Sequence, residues 1–318
     1  MKKLKCLLIL VLSVIMFTVA CGNSSSLNNQ KSSDKGSDSK SGDYKPKELT
    51  VQFVPSQNAD KLEAKAKPLE KLLSKELDMP VKVSVSTNYN TIVEAMKSKK
   101  VDVGFLPPTA YTLAHDQKAA DLLLQAQRYG VNKDGSPNKQ LVDDYKSEIL
   151  VKKDSNIKSL KDLKGKKIAL QDVTSTAGYT FPLATLKEEA GINATKDMKI
   201  VNVKGHDQAI ISLLNGDVDA AAVFNDARNI VKKDQPDVFK DTKILKLTDA
   251  IPNDTISVRP DMDKKFQDKL KKAFKDISKT KEGHKIIKEV YSHEGYTDTD
   301  DSKFDVVREN EKAVKDMK

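Results

Sequence analysis

Residues 172–182 read DVTSTAGYTFP and gather Asp172, Thr174, Ser175, Thr176 and Gly178 into one turn. The turn stands between a strand-like run, KKIALQD, and a helix-like run, PLATLKEEAG. The first N–H groups of a helix have no intrahelical partner, and the helix dipole adds partial positive charge there. Such a terminus can hold an anion without net charge from side chains. Ser175 and Thr176 add hydroxyl donors, and Gly178 permits close backbone approach. Pro182 cannot donate an intrahelical bond, so the regular helix starts late or kinks and leaves earlier N–H groups free. The competing reading is simple N-capping by a hydroxyl side chain.

His206 follows the strand KIVNVKG at another helix start, where an imidazole can donate to an anion or sit near a cap. Asp226 ends the strand VDAAAVF, and Asp254 lies in AIPNDTISV. Both suit turns or caps. If both line an anion cleft, two carboxylates repel a dianion. They are tolerated if the ligand also carries a cation, or if one of its acid oxygens keeps a proton. Tyr89 and Tyr145 flank helix and strand starts, Tyr111 lies in FLPPTAY, and each could close over a ligand or pack as a half-buried residue. No His/Cys/Asp/Glu set has metal-ligand spacing, and there is no P-loop or nucleophile elbow. His115, His206, His284 and His293 are far apart in the chain. Neither a cofactor nor a catalytic residue is expected.

The elements that must position these residues alternate between strand and helix from Glu48 onward. ELTVQFVP, VKVSVS and VDVGFLP read as strands; ADKLEAKAKPLEKLLSKEL and NTIVEAMKSKK read as helices. The pattern restarts with EILVKK, and PLATLKEEAG is a helix stopped by Gly191. TIVEAMKSKKVDVGFL in one half rhymes with QAIISLLNGDVDAAAVF in the other: a helix, a short turn, then Val-Asp leading into a buried strand. The expectation is an α/β protein of two similar lobes with a ligand cleft between them.

The first residues belong to a different part of the protein. Lys2, Lys3 and Lys5 precede the apolar run CLLILVLSVIMFTVA, the layout of a secretory signal. TVAC followed by GNSSS looks like a bacterial lipobox, with Cys21 as the lipidated residue and Thr18 where Leu is usual. Removal of the signal takes Cys6 and leaves Cys21 alone, so no internal disulfide is available. From Cys21 to about Pro46 the chain is polar and rich in Ser, Gly and Asn, a tether. The net charge is +9, of which the three signal lysines carry three, leaving +6. The lysines are scattered among acids rather than clustered with aromatics, and there is no Trp. That argues for solvated helix faces and against nucleic acid as a partner.

Taken in order, LTVQFVPSQ, VDVGFLPPTAY, YKSEILV, LQDVTSTAGYTFP, VNVKGHDQAI, VDAAAVFNDA and IPNDTISVRP resemble the phosphonate/phosphite/phosphate-binding lipoproteins of ABC importers, a branch of the type II periplasmic-binding fold. The resemblance runs from about Glu48 to the C-terminus. It implies that Ser175, Thr176 and the N–H groups of Ala177 and Gly178 bind the phosphonate oxygens, with His206 and Tyr145 donating to the same group. It implies that Tyr89 packs near the ligand's organic end, and that Asp226 and Asp254 hold the amine of a ligand such as 2-aminoethylphosphonate. Three departures stand out. Asp226 is one methylene shorter than the family's glutamate. STAG, with Ala177, replaces STSG. The loop GSPNKQLVDDYKSE is longer than the usual short connection. Phosphite, methylphosphonate and phosphate are the alternative ligands.

The resulting expectation is a monomeric, lipid-anchored solute-binding protein on the extracellular face of the membrane that delivers its ligand to an ABC permease and ATPase. Its segments are a signal (1–20), a tether (21–46), a first lobe (47–150), a second lobe (151–254), and a return to the first lobe with C-terminal helices (255–318). Rival classes are an enzyme on the same fold, which needs a nucleophile in the cleft, and a surface sensor.

Overall fold

The computed structural model describes residues 42–132 and 135–317. The signal, Cys21 and most of the tether lie outside the described residues. The strands in chain order are β1 (Leu49–Phe53), β2 (Val81–Val85), β3 (Val103–Leu106), β4 (Asp121–Val131), β5 (Pro137–Val142), β6 (Asp144–Lys152), β7 (Lys167–Leu170), β8 (Lys199–Asn202), β9 (Ala220–Phe224), β10 (Thr242–Pro252), β11 (Thr255–Val258) and β12 (Gly295–Thr297).

Period-two burial builds the sheets. Leu49, Val51 and Phe53 of β1 face the first core, and the helices Ala59–Ala66 and Leu69–Leu77 cover it with Leu62, Leu69, Leu73 and Leu77. The sequence suggests one long helix there; Pro68 divides it in two. In the second lobe Ile168 and Leu170 of β7 pack with Leu183 and Leu186 of the helix Phe181–Ala190. That helix ends where Gly191 adopts φ +67°, as its sequence predicts.

The two sheets share one plan. The first runs β12-β4-β11-β3-β1-β2, with β5 folded back on β4; the second runs β10-β6-β9-β7-β8. β1 is parallel to β2 and β3, as β7 is to β8 and β9. The strand that has just crossed between lobes, β11 or β6, inserts antiparallel beside β3 or β9.

The crossings lie side by side at Asp143–Asp144 and Asn253–Asp254. Asn253 N donates to Asp143 O at 2.8 Å, and Gln125 Nε2 donates to the same oxygen at 2.9 Å. The first crossing therefore falls before residue 150, because β6 pairs with β9 and β10 rather than with lobe 1. The C-terminal helix Asp305–Lys315 reaches the second lobe. Val314 and Met317 join that lobe's core, and Asn193 Nδ2 donates to Met317 O at 2.8 Å. The end of the tether is also docked: Arg259 stacks on the Tyr44 ring at 3.6 Å, and Asp263 N donates to Tyr44 O at 2.9 Å.

Candidate functional site

Strand-to-helix junctions of both lobes face each other across a cleft of about 260 Å³. In open α/β sheets this is where ligands bind, outside the carboxyl ends of the strands. The lobes touch at its mouth. His206 N donates to Ser56 O at 2.9 Å, Asn58 N to Asp207 Oδ2 at 3.2 Å, and Thr109 N to Thr176 Oγ1 at 2.9 Å.

The turn after β7 forms one wall. Residues Thr176–Thr180 make a wide, π-type turn in which Thr180 N donates to Ser175 O at 3.2 Å, and the regular helix begins only at Phe181. Such turns recur at functional sites. Ser175, Thr176 and Ala177 line the cleft and are buried. Gly178 is not on that wall. Its N–H donates to Ser175 Oγ at 3.2 Å, and an added Cβ would lie 1.5 Å from Gln171 Oε1. The glycine is required for packing against Gln171 rather than for approach to a ligand, and Ser175 is a cap as well as a wall residue.

His206 opens the helix His206–Asn215, which has no side-chain cap. Burial, reinforced by the Arg128 charge, lowers its imidazole to about 3, so the ring is neutral. Nδ1 is buried with no hydrogen-bond partner among the described residues. Tyr145 and Tyr89 also line the cleft, and burial raises both hydroxyls far above their ordinary value. Both remain neutral donors. Tyr111 lies elsewhere, packed on Phe304 with its hydroxyl donating to Asp301 at 2.6 Å.

Asp226 and Asp254 both reach the cleft, but their surroundings differ. Asp226 accepts from Arg128 Nη2 at 2.5 Å. Asp254 has no arginine or lysine ion-pair partner among the described residues; His293 Nε2 lies 3.5 Å from its Oδ2. Burial lowers that imidazole too, although Asp254 opposes the shift. Arg128 was not among the residues singled out from the sequence. Its signal is a charge in phase with Leu124 and Ala126 on the buried side of β4, where arginine is rare unless paired. Phe224, Tyr291, Lys65 and Glu289 also line the cleft, and the Tyr291 hydroxyl donates to Val54 O at 2.7 Å.

Two pseudo-symmetric α/β lobes, two adjacent crossings and a polar cleft between them define a two-lobed solute-binding protein. Residues 51–304 match the model of the family described as ABC transporter, phosphonate, periplasmic substrate-binding protein, and the chain belongs to that family. It is 30% identical over 239 residues to the phosphate-import protein PhnD of Mycolicibacterium smegmatis, covering 72% of this chain and 71% of that one. It is 26% identical to the phosphonates-binding periplasmic protein of Escherichia coli over 76% of this chain and 69% of that one. The solved structure of PhnD1 from Prochlorococcus marinus in complex with methylphosphonate superposes with a TM-score of 0.71 at 22% identity, over 85% of this chain and 99% of that one. The fold is thus the type II periplasmic-binding fold. The protein is an extracytoplasmic solute-binding component of an ABC importer for phosphonate-type oxyanions, and the family is one of transport rather than catalysis. Among the described residues no helix is long and apolar enough to cross a membrane.

Proposed function

We propose that the cleft holds a small phosphorus oxyanion, gripped by the Ser175 and Thr176 hydroxyls, the opening N–H groups of the wide turn, the neutral His206 ring and the Tyr145 hydroxyl. Tyr89 packs beside the ligand's remaining substituent. The observation that carries this reading is the convergence of these neutral donors on one buried chamber beside Arg128. Neutral dipoles fixed in a dry site stabilise an anion without the cost of moving a hydrated charge inward. Asp254 suits a ligand that keeps one acidic O–H, which donates to the carboxylate.

The lobes close about the paired crossings, and the closed form docks on the permease. There is binding and no reaction. The protein works as a monomer, tethered outside the cell membrane by a lipid on Cys21, in keeping with the signal and the lone mature cysteine. Calorimetry with methylphosphonate, phosphite, phosphate and sulfate tests the reading. Binding of a phosphorus oxyanion, weakened about a hundredfold by Ser175→Ala with Thr176→Ala, is the expected result. A folded protein that binds none of the phosphorus ligands would sink it.

A further inference from the structure

Within that reading of the cleft as an oxyanion site, one ion pair bears on which oxyanion enters. Arg128 comes from β4 of the first lobe and Asp226 from the loop after β9 of the second, and their side chains are 6% and 12% exposed. The guanidinium lies 5.3 Å from the Tyr145 ring and 5.6 Å from the Phe224 ring, both part of the cleft wall. Arg128 Nε is buried with no hydrogen-bond partner among the described residues. The pair is therefore inside the chamber and not on its rim.

We propose that Arg128 is the specificity-determining residue of this cleft: it occupies Asp226 as a built-in counter-cation, so the site selects phosphorus oxyanions without a cationic group and rejects those with one. An amine that approaches Asp226 meets the guanidinium first. Two cations then share one carboxylate in a space closed to water, where their repulsion is poorly screened. Displacing Arg128 is no remedy, because it strands a buried guanidinium without its partner. Asp254, in that reading, is taken by the ligand's acidic O–H. A ligand with no amine leaves the pair intact and gains the guanidinium's field. Rejection thus arises from a repulsive element as much as from a fitted one.

Calorimetry on the full chain with methylphosphonate, phosphite and 2-aminoethylphosphonate tests this. The amine ligand is expected to bind at least about tenfold more weakly than methylphosphonate. In Arg128→Ala the ratio of the two constants should move toward the amine ligand by about tenfold, and Arg128→Ala with Asp226→Ala should erase that shift. Equal or tighter binding of 2-aminoethylphosphonate by the unmodified protein would overturn the inference, as would an unchanged ratio in a folded Arg128→Ala protein. If that variant does not fold, the unmodified protein's ratio decides alone. Binding of none of the three overturns the oxyanion reading, and this inference with it.

Discussion

In both lobes an aspartate stands just before the third strand and ties it to the first. Asp102 accepts from Thr50 N at 2.9 Å, and Asp219 accepts from Lys167 N at 2.8 Å. In return Asp102 N donates to Thr50 O and Asp219 N to Lys167 O. The Val-Asp rhyme in the sequence is this clamp, made twice. Its surroundings differ. Asp102 is 3% exposed, also accepts from Thr50 Oγ1 at 2.7 Å, and pairs with Arg259 at 3.3 Å. Asp219 is half-buried and holds the backbone clamp without an arginine.

The cleft-facing junctions differ in the same spirit. In the first lobe Asn58 and Asn88 cap their own helices, accepting from Lys61 N at 3.0 Å and Thr91 N at 2.8 Å. In the second lobe the helix that begins at His206 lacks such a cap. A shared frame fixes where the junctions sit, and the residues placed on them decide which terminus is capped by its own side chain and which is met by the other lobe, as His206 N is by Ser56 O.

The largest effect that tests this comparison is on stability. Asp102→Ala should cost about 3 kcal/mol, read as a fall in the urea midpoint at unchanged slope. An Asp219→Ala cost as large would break the distinction between the clamps. Next comes the contact where the lobes meet. Gly205 has φ +90°, and an added Cβ would lie 2.9 Å from Gln57 Cα of the other lobe. Gly205→Ala should weaken methylphosphonate binding about thirtyfold, since the lobes can no longer touch. Gly216→Ala, at φ +82° with only Lys152 Nζ at 3.6 Å, should lower stability by about 1 kcal/mol and spare binding.

A smaller effect concerns the one buried histidine in each lobe. His206 titrates near 3 in the fold against 6.5 when unfolded. Between these values the unfolded chain holds the extra proton, so stability is lost as pH falls from 6.5 toward 3. The slope is up to about 1.4 kcal/mol per pH unit. His206→Gln should remove part of that slope in unfolding curves between pH 7 and 5, leaving the share of His293, which burial also lowers. The smallest effect is Asp219→Ala itself, about 1 kcal/mol by the same urea measurement, for one exposed-side hydrogen bond to a charged group.

The strands and helices around the turn at 172–182 were legible because apolar periodicity is local, and so were the lobes' repeated order. β4, β5 and the helix Asp305–Lys315 escaped. β4 carries Gln125 and Arg128 in its buried stretch, and the last helix packs on both lobes, with Val307 in the first lobe's core and Val314 in the second's. Of the candidate site, Ser175, Thr176, Ala177, His206, Tyr145, Tyr89, Asp226 and Asp254 all reach one cleft. Gly178 and Tyr111 do not: Gly178 packs on Gln171 and Tyr111 on Phe304 and Asp301, contacts that no local pattern names.

The sequence by itself determined the α/β alternation, the late helix start before Pro182, and which side chains stand at the ends of strands. These follow from the local geometry of a short stretch of chain. Only the tertiary structure decided that Ser175 caps the turn it walls, that His206 is dry enough to stay neutral, and that Asp226 already has a cation. The cap is a contact three residues long that the sequence left as one of two readings, whereas the other two depend on Arg128, brought from the other lobe against His206 and Asp226. Desolvation and ion pairing act through distance in space, and residues 128 and 226, 98 positions apart in the chain, become neighbours only in the folded arrangement of the two lobes.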